Sequence, residues 1–135
     1  IYDETIQAYQ AIINGVKKSG VKRLLVVGGA GSLEVSLGVQ LVETMKVPEL
    51  IKNGILGLRE VLYILRKEKD LDWTFLSPAG TISPGERTGH FRLGKDQLLK
   101  DKNGDSKISI QDYAVAMLDE LEKPKHKQER FTLAY

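Results

Sequence analysis

The sequence predicts an α/β fold with a mainly parallel sheet. Helix-like and strand-like segments alternate along its 135 residues, the order expected of such a sheet. The run Leu24-Leu25-Val26-Val27 is continuously apolar, as in a strand covered on both faces. The two clearest strands, residues 21–27 and 72–77, both end in small-residue corners, Gly28-Gly29-Ala30-Gly31 and Ser77-Pro78-Ala79-Gly80.

Taken in order, residues 2–19 read as a helix. Tyr2, Ile6, Tyr9, Ile13 and Val16 recur at steps of four and three, with Asp3 the predicted N-cap and Ser19-Gly20 the stop. After the first strand, residues 33–47 show no firm period and read mostly as loop. Pro48 suits a first helical position, and a helix over about 48–69 buries Leu58, Val61, Leu62 and Leu65. The second strand stops at Pro78. An irregular excursion covers about residues 79–110, with short strands around Gln97–Leu99 and Lys107–Ile110 and a turn at Asn103-Gly104. A helix over 111–122 ends before Pro124, and Arg130–Tyr135 closes as a strand.

Composition narrows the function classes. The length fits one domain, and 41% hydrophobic with 28% charged residues is globular. A net charge of 20 − 18 = +2 gives no basis for a nucleic-acid or polybasic membrane binder. No apolar run approaches the ~20 residues of a membrane span. With no cysteine, disulfides, thiolate metal sites and cysteine nucleophiles are excluded, and a cytoplasmic setting is expected. The chain opens at Ile1 and its methionines are Met45 and Met117, so a preceding segment is expected.

In open parallel sheets, ligands bind outside the carboxyl ends of the strands. Both small-residue corners qualify, either as ligand contacts or as plain tight turns. The glycine cluster is not a dinucleotide fingerprint by itself. Gly29-Ala30-Gly31-Ser32-Leu33-Glu34 lacks the third glycine, and no helix opens after it. Asp101–Asp112 has oxygen-bearing residues at EF-hand positions 1, 3, 5, 9 and 12, which makes a calcium module an alternative. Ser106 replaces the turn glycine, however, and the incoming helix is missing. Tyr63-Ile64-Leu65-Arg66-Lys67 has the Tyr-x-x-x-Lys spacing of a carbonyl-protonating pair. Tyr63 falls about 22 Å along its helix at 1.5 Å per residue, far from the carboxyl edge, so it reads as packing and Lys67 as a dipole-favoured charge. In Glu86-Arg87-Thr88-Gly89-His90, Arg87 could face a phosphate or carboxylate of a substrate, with His90 beside it. His126, among lysines, reads as surface. No histidines have metal-ligand spacing and no Ser–His–Asp set can be argued, so neither a metal site nor a catalytic residue is assigned.

Four ordered blocks then belong together: Val21–Leu33, Asp70–Ala79, Pro84–Gly94 and Ile108–Ala114, followed by Arg130-Phe131-Thr132. Together they resemble the NADH-flavin reductases, an NmrA-like branch of the atypical short-chain dehydrogenases, over essentially the whole chain. The resemblance implies the C-terminal half of a doubly wound Rossmann sheet, with residues 1–135 a partial NAD(P)-binding domain. The pyrophosphate-gripping glycine loop would then precede Ile1, and an exposed sheet edge would invite self-association. It implies NAD(P) as cofactor and a flavin, FMN or FAD, as acceptor, in an oxidoreductase or, alternatively, a non-catalytic redox sensor. It also implies that Gly29, Ala30 and Gly31 line the nicotinamide–ribose side, and that Ser77, Pro78 and Ala79 form the wall beyond.

Overall fold

A computed structural model describes all residues, 1–135. The chain runs α1 (Tyr2–Ser19), β1 (Arg23–Val27), β2 (Glu34–Ser36), β3 (Val39–Gln40), α2 (Leu41–Thr44) and α3 (Glu49–Arg66). It continues as β4 (Asp72–Ser77), β5 (Thr81–Ser83), β6 (Arg92–Gly94), β7 (Lys107–Ser109), α4 (Ile110–Glu122) and β8 (Glu129–Ala134). The main sheet has the order β1-β4-β8-β6. β1, β4 and β8 are parallel, and β6 is antiparallel to β8. β5 and β7 form a separate parallel pair, and β2 and β3 an antiparallel one. The predicted α/β fold with a mainly parallel sheet is what the chain adopts.

Each layer follows from the apolar pattern. Register pairs Leu24 with Trp73, Val26 with Phe75 and Phe75 with Arg130, so these side chains share one sheet face. That face carries α1 and α3 through Ile13, Val61, Leu62, Leu65, Trp73 and Phe75, all at most 5% exposed. The opposite face packs Leu76, Phe131 and Leu133 on Tyr113 and Ala116 of α4. Helices on both faces explain why β1 carries the unbroken apolar run Leu24–Val27 and why β4 is buried at every residue from Trp73 to Ser77.

Several boundaries differ from the sequence reading, for local reasons. α1 starts from Ile1, not Asp3, without a side-chain cap, and Gly20 ends it in the left-handed conformation at φ 82°. Pro48 is the N-cap of α3 and not its first residue. Residues 33–47 are not plain loop. Leu41 N–H donates to Leu33 O (2.8 Å) and Val42 N–H to Gly31 O (2.9 Å), so tertiary bonds hold β2, β3 and α2. The strand placed at Gln97–Leu99 is a single bridge at Gln97, and the paired segment lies earlier, at β6. His126 is half-buried rather than a plain surface residue. Its ring stacks on Phe131 at 4.1 Å between centroids, and Nδ1 lies 2.6 Å from Glu129.

The amino edge of the sheet is closed by charge. Arg23 donates to Asp72 O (2.9 Å), Thr74 Oγ1 (2.7 Å) and the buried Glu120 carboxylate (2.6 Å), tying β1, β4 and α4 together. The outer edge of β1 has no strand neighbour, and Val27 is 62% exposed. No helix is long and apolar enough to cross a membrane.

Candidate functional site

Parallel, in-register pairing decides where the two corners lie. Val27 sits opposite Leu76 at the carboxyl ends of β1 and β4, and Gly28 N–H donates to Leu76 O at 2.9 Å. Gly28–Ser32 and Ser77–Ala79 therefore leave neighbouring strands on one rim. Tyr113 of α4 donates from below to the same Leu76 carbonyl (2.6 Å), and burial pushes its phenol well above the usual range.

Beside the first corner is a cleft of about 300 Å³. Gly29, Ala30, Gly31 and Ser32 form one wall, the α3 residues Ile51, Gly54, Ile55, Leu58 and Arg59 the other, and Phe75 also lines it. Arg59 is the one charged lining residue. Its Nη1 donates to Gln40 Oε1 (3.0 Å), and its buried Nε has no partner. The loop carbonyls of Ala30 and Gly31 accept from Leu33 and Val42 N–H groups. The N–H groups of Gly29, Ala30, Gly31 and Ser32 donate to no protein acceptor. A run of unengaged N–H groups after a strand offers donors to a polar or anionic ligand group, while Ile55, Leu58 and Phe75 offer apolar contact to a ring.

The glycines of this loop have a different role from the one their sequence position suggests. A Cβ on Gly28 would stand 2.2 Å from the Phe75 ring, and one on Gly31 2.2 Å from Ile55 Cγ2. These positions are small because strand β4 and helix α3 fill the adjoining space, not to leave room for a ligand.

The second corner is anchored from β8. Thr132 Oγ1 donates to Ser77 O (2.8 Å). The Arg130 side chain, 2% exposed, donates from Nη1 to Ser32 Oγ (2.9 Å) and Ser77 Oγ (3.1 Å). Its Nη2 reaches Ser32 O (3.3 Å) and its Nε reaches Asp96 Oδ1 (3.0 Å). One buried guanidinium thus joins both corners. Burial pulls its pKa down, and Asp96 pulls it back up.

The remaining candidates lie elsewhere. Arg87 and His90 are exposed on the 84–90 loop and line none of this cleft. Asp112 pins that loop, accepting from Thr88 N–H (2.9 Å), Thr88 Oγ1 (2.7 Å), Gly89 N–H (2.9 Å) and the Tyr135 hydroxyl. Burial raises the Asp112 carboxyl, but these donors outweigh it and hold it at about 2. The twelfth position of the EF-hand-like spacing is therefore engaged by protein donors. Its first position, Asp101, accepts from Asn103 and Asp105 N–H groups in a local turn. Tyr63 accepts from Gln40 Nε2 (3.0 Å) and lines no part of the cleft. A groove of about 340 Å³ between α4 and β6, lined by Phe91, Asp119, Glu122 and His126 among others, contains none of the predicted site residues.

Sequence reasoning missed Ile51, Ile55, Arg59, Ser32 and Arg130 as neighbours of the corners. The available signal was Arg130, an arginine opening an otherwise apolar closing strand.

A family model described as NAD(P)H-binding matches residues 3–124. The chain belongs to this NAD(P)H-binding family. The uncharacterized protein YwnB of Bacillus subtilis is 44% identical over 131 residues, covering 95% of this chain and 62% of YwnB. A Bacteroides thetaiotaomicron crystal structure, provisionally named an epimerase, is 57% identical with a TM-score of 0.95, covering 100% of this chain and 63% of that one. A Streptococcus pneumoniae structure, provisionally named an NADH-flavin reductase, is 35% identical with a TM-score of 0.84, covering 99% of this chain and 66% of that one. The chain thus spans just under two thirds of the length of these relatives.

Proposed function

We propose that this NAD(P)H-binding chain is the nicotinamide-facing half of an oxidoreductase that passes hydride to a flavin, FMN or FAD. The observation that carries the reading is the shared rim: in-register β1 and β4 bring Gly29–Ser32 and Ser77–Ala79 side by side, with four unengaged N–H groups on the first. Bound dinucleotide would supply the hydride. The chain's own contribution is to orient it. The N–H groups of Gly29–Ser32 hold polar groups, Ile55, Leu58 and Phe75 exclude water from a ring face, and Pro78, on the neighbouring corner outside the cleft lining, walls off the far side while Ala79 packs into the core under α4. The cleft presents no histidine, carboxylate, lysine or phenol, which suits an acceptor that needs no carbonyl acid.

In this reading the glycine loop that grips the pyrophosphate comes from a preceding segment whose strands continue the sheet from the open β1 edge. Self-association through that edge belongs to a state in which the edge is left bare. Arg87 and His90, away from the cleft, are proposed only as contacts for a second ligand approaching over the 84–90 loop.

The test is NADH and NADPH titration of the complete protein, followed by oxidation rates with FMN and FAD. Binding with flavin-dependent oxidation is expected. Binding without oxidation above background assigns a redox sensor instead, and absence of binding removes the reading.

A further inference from the structure

Arg130 is the most heavily engaged buried charge near the site. It leaves β8 on the α3 face, opposite Phe75 in register, and spans to both corners. Ser32 and Ser77 each use a hydroxyl lone pair to accept from Nη1, and neither hydroxyl donates to a protein group. A hydroxyl that accepts from a cation cannot turn its own hydrogen toward that cation. Its proton must point elsewhere. Ser32 is 4% exposed and is one of the residues that line the cleft.

Resting on the reading above, we propose that Arg130 is a positioning residue: it fixes the Ser32 hydroxyl as a hydrogen-bond donor into the cleft, aimed at an acceptor atom such as the nicotinamide carboxamide oxygen. The guanidinium does two things that a lysine could not do together. Its planar fork reaches Ser32 Oγ, Ser32 O and Ser77 Oγ at fixed angles, which locks the distance between the corners. Its charge also polarises the Ser32 O–H and strengthens its donation. Asp96, held beside residue 34 by the Glu34 N–H bond to Asp96 O (2.8 Å), orients the guanidinium from outside through Nε. Arg130 itself does not line the cleft, so its effect on ligand passes through Ser32.

The experiment compares Ser32→Ala, Arg130→Lys and the double variant in the complete protein. The readouts are NADPH and NADH affinity by fluorescence titration and amide hydrogen exchange across residues 29–33. Ser32→Ala should weaken binding about three- to tenfold, the worth of one hydrogen bond, with a native exchange pattern elsewhere. Arg130→Lys should weaken it at least as much and speed exchange at 29–33. The double variant should bind no worse than Arg130→Lys alone, because the two residues act in series. Unchanged affinity in Ser32→Ala, or losses that add in the double variant, would overturn the proposal, and the first holds even if Arg130→Lys does not fold. If the unmodified protein binds neither dinucleotide, the functional reading fails and the Ser32 donor role with it. Exchange at 29–33 then separately decides whether Arg130 holds the rim.

Discussion

Replacing Asp112 by alanine should cost about 3 kcal/mol of stability, read as a lower urea midpoint at unchanged slope. The reason is the number of donors left without an acceptor. Thr88 N–H, Thr88 Oγ1, Gly89 N–H and the Tyr135 hydroxyl all converge on one carboxylate at 0% exposure. The same group sets an acid response. Its carboxyl lies at about 2 in the folded chain against an ordinary value near 3.8. A depressed carboxyl contributes its full stabilisation above the unfolded value and loses it as pH falls through the folded one. Stability should therefore decline between about pH 4 and pH 2, and Asp112→Asn should flatten that decline while lowering stability at neutral pH. A loss below about 1 kcal/mol for the alanine variant would show that the anchor is redundant.

Gly28→Ala should cost about 2–3 kcal/mol, the upper part of the range for overpacking a core. The added methyl would meet Cε1, Cδ1 and Cζ of Phe75 at 2.2, 2.6 and 2.7 Å. That ring is 1% exposed in the middle of the sheet, so it can move only by displacing α3 or the cleft wall it helps to form. Gly15→Ala is the contrast. Nothing lies within 4 Å of its added Cβ in the middle of α1, so the substitution should raise stability by about 0.5–1 kcal/mol through helix propensity alone. Thermal melts of the two variants should move in opposite directions, and a shared direction would contradict the packing argument.

Long, strongly patterned segments were legible in the sequence. The i, i+4, i+7 spacing of Tyr2, Ile6 and Tyr9 marks α1, and the segment Asp72–Ser77, stopped by Pro78, is β4 to the residue. The two corners were legible as well, because a strand followed by glycines or Ser-Pro points to a sheet edge. Shorter elements were not. β2, β3 and α2 have two to four residues each, too few for any period, and depend on the Leu33 and Gly31 carbonyls accepting from Leu41 and Val42 N–H, bonds that come from the tertiary fold. The cleft was half legible. Periodicity assigns Leu58 to a buried face but cannot say that Ile55 and Arg59 turn toward the glycine loop. The reciprocal contacts of Asp112 with Thr88 and of Ser109 with Glu86 explain why the blocks at 84–94 and 108–114 occur together. Neither block reveals this alone.

The 84–90 loop has a practical consequence. Every residue from Gly80 to His90 is solvent-exposed, and Arg87 offers a trypsin cleavage point. Exposed loop tips are normally the first places nicked. Here the backbone on both sides is tethered, at Gly85 N–H by Gln111, at Glu86 O by Ser109 and at Thr88 and Gly89 N–H by Asp112. A protease needs several residues drawn out into its groove, so the Arg87–Thr88 bond becomes cleavable only when this tether opens. Digestion at that bond thus reports local opening of the loop rather than its surface exposure.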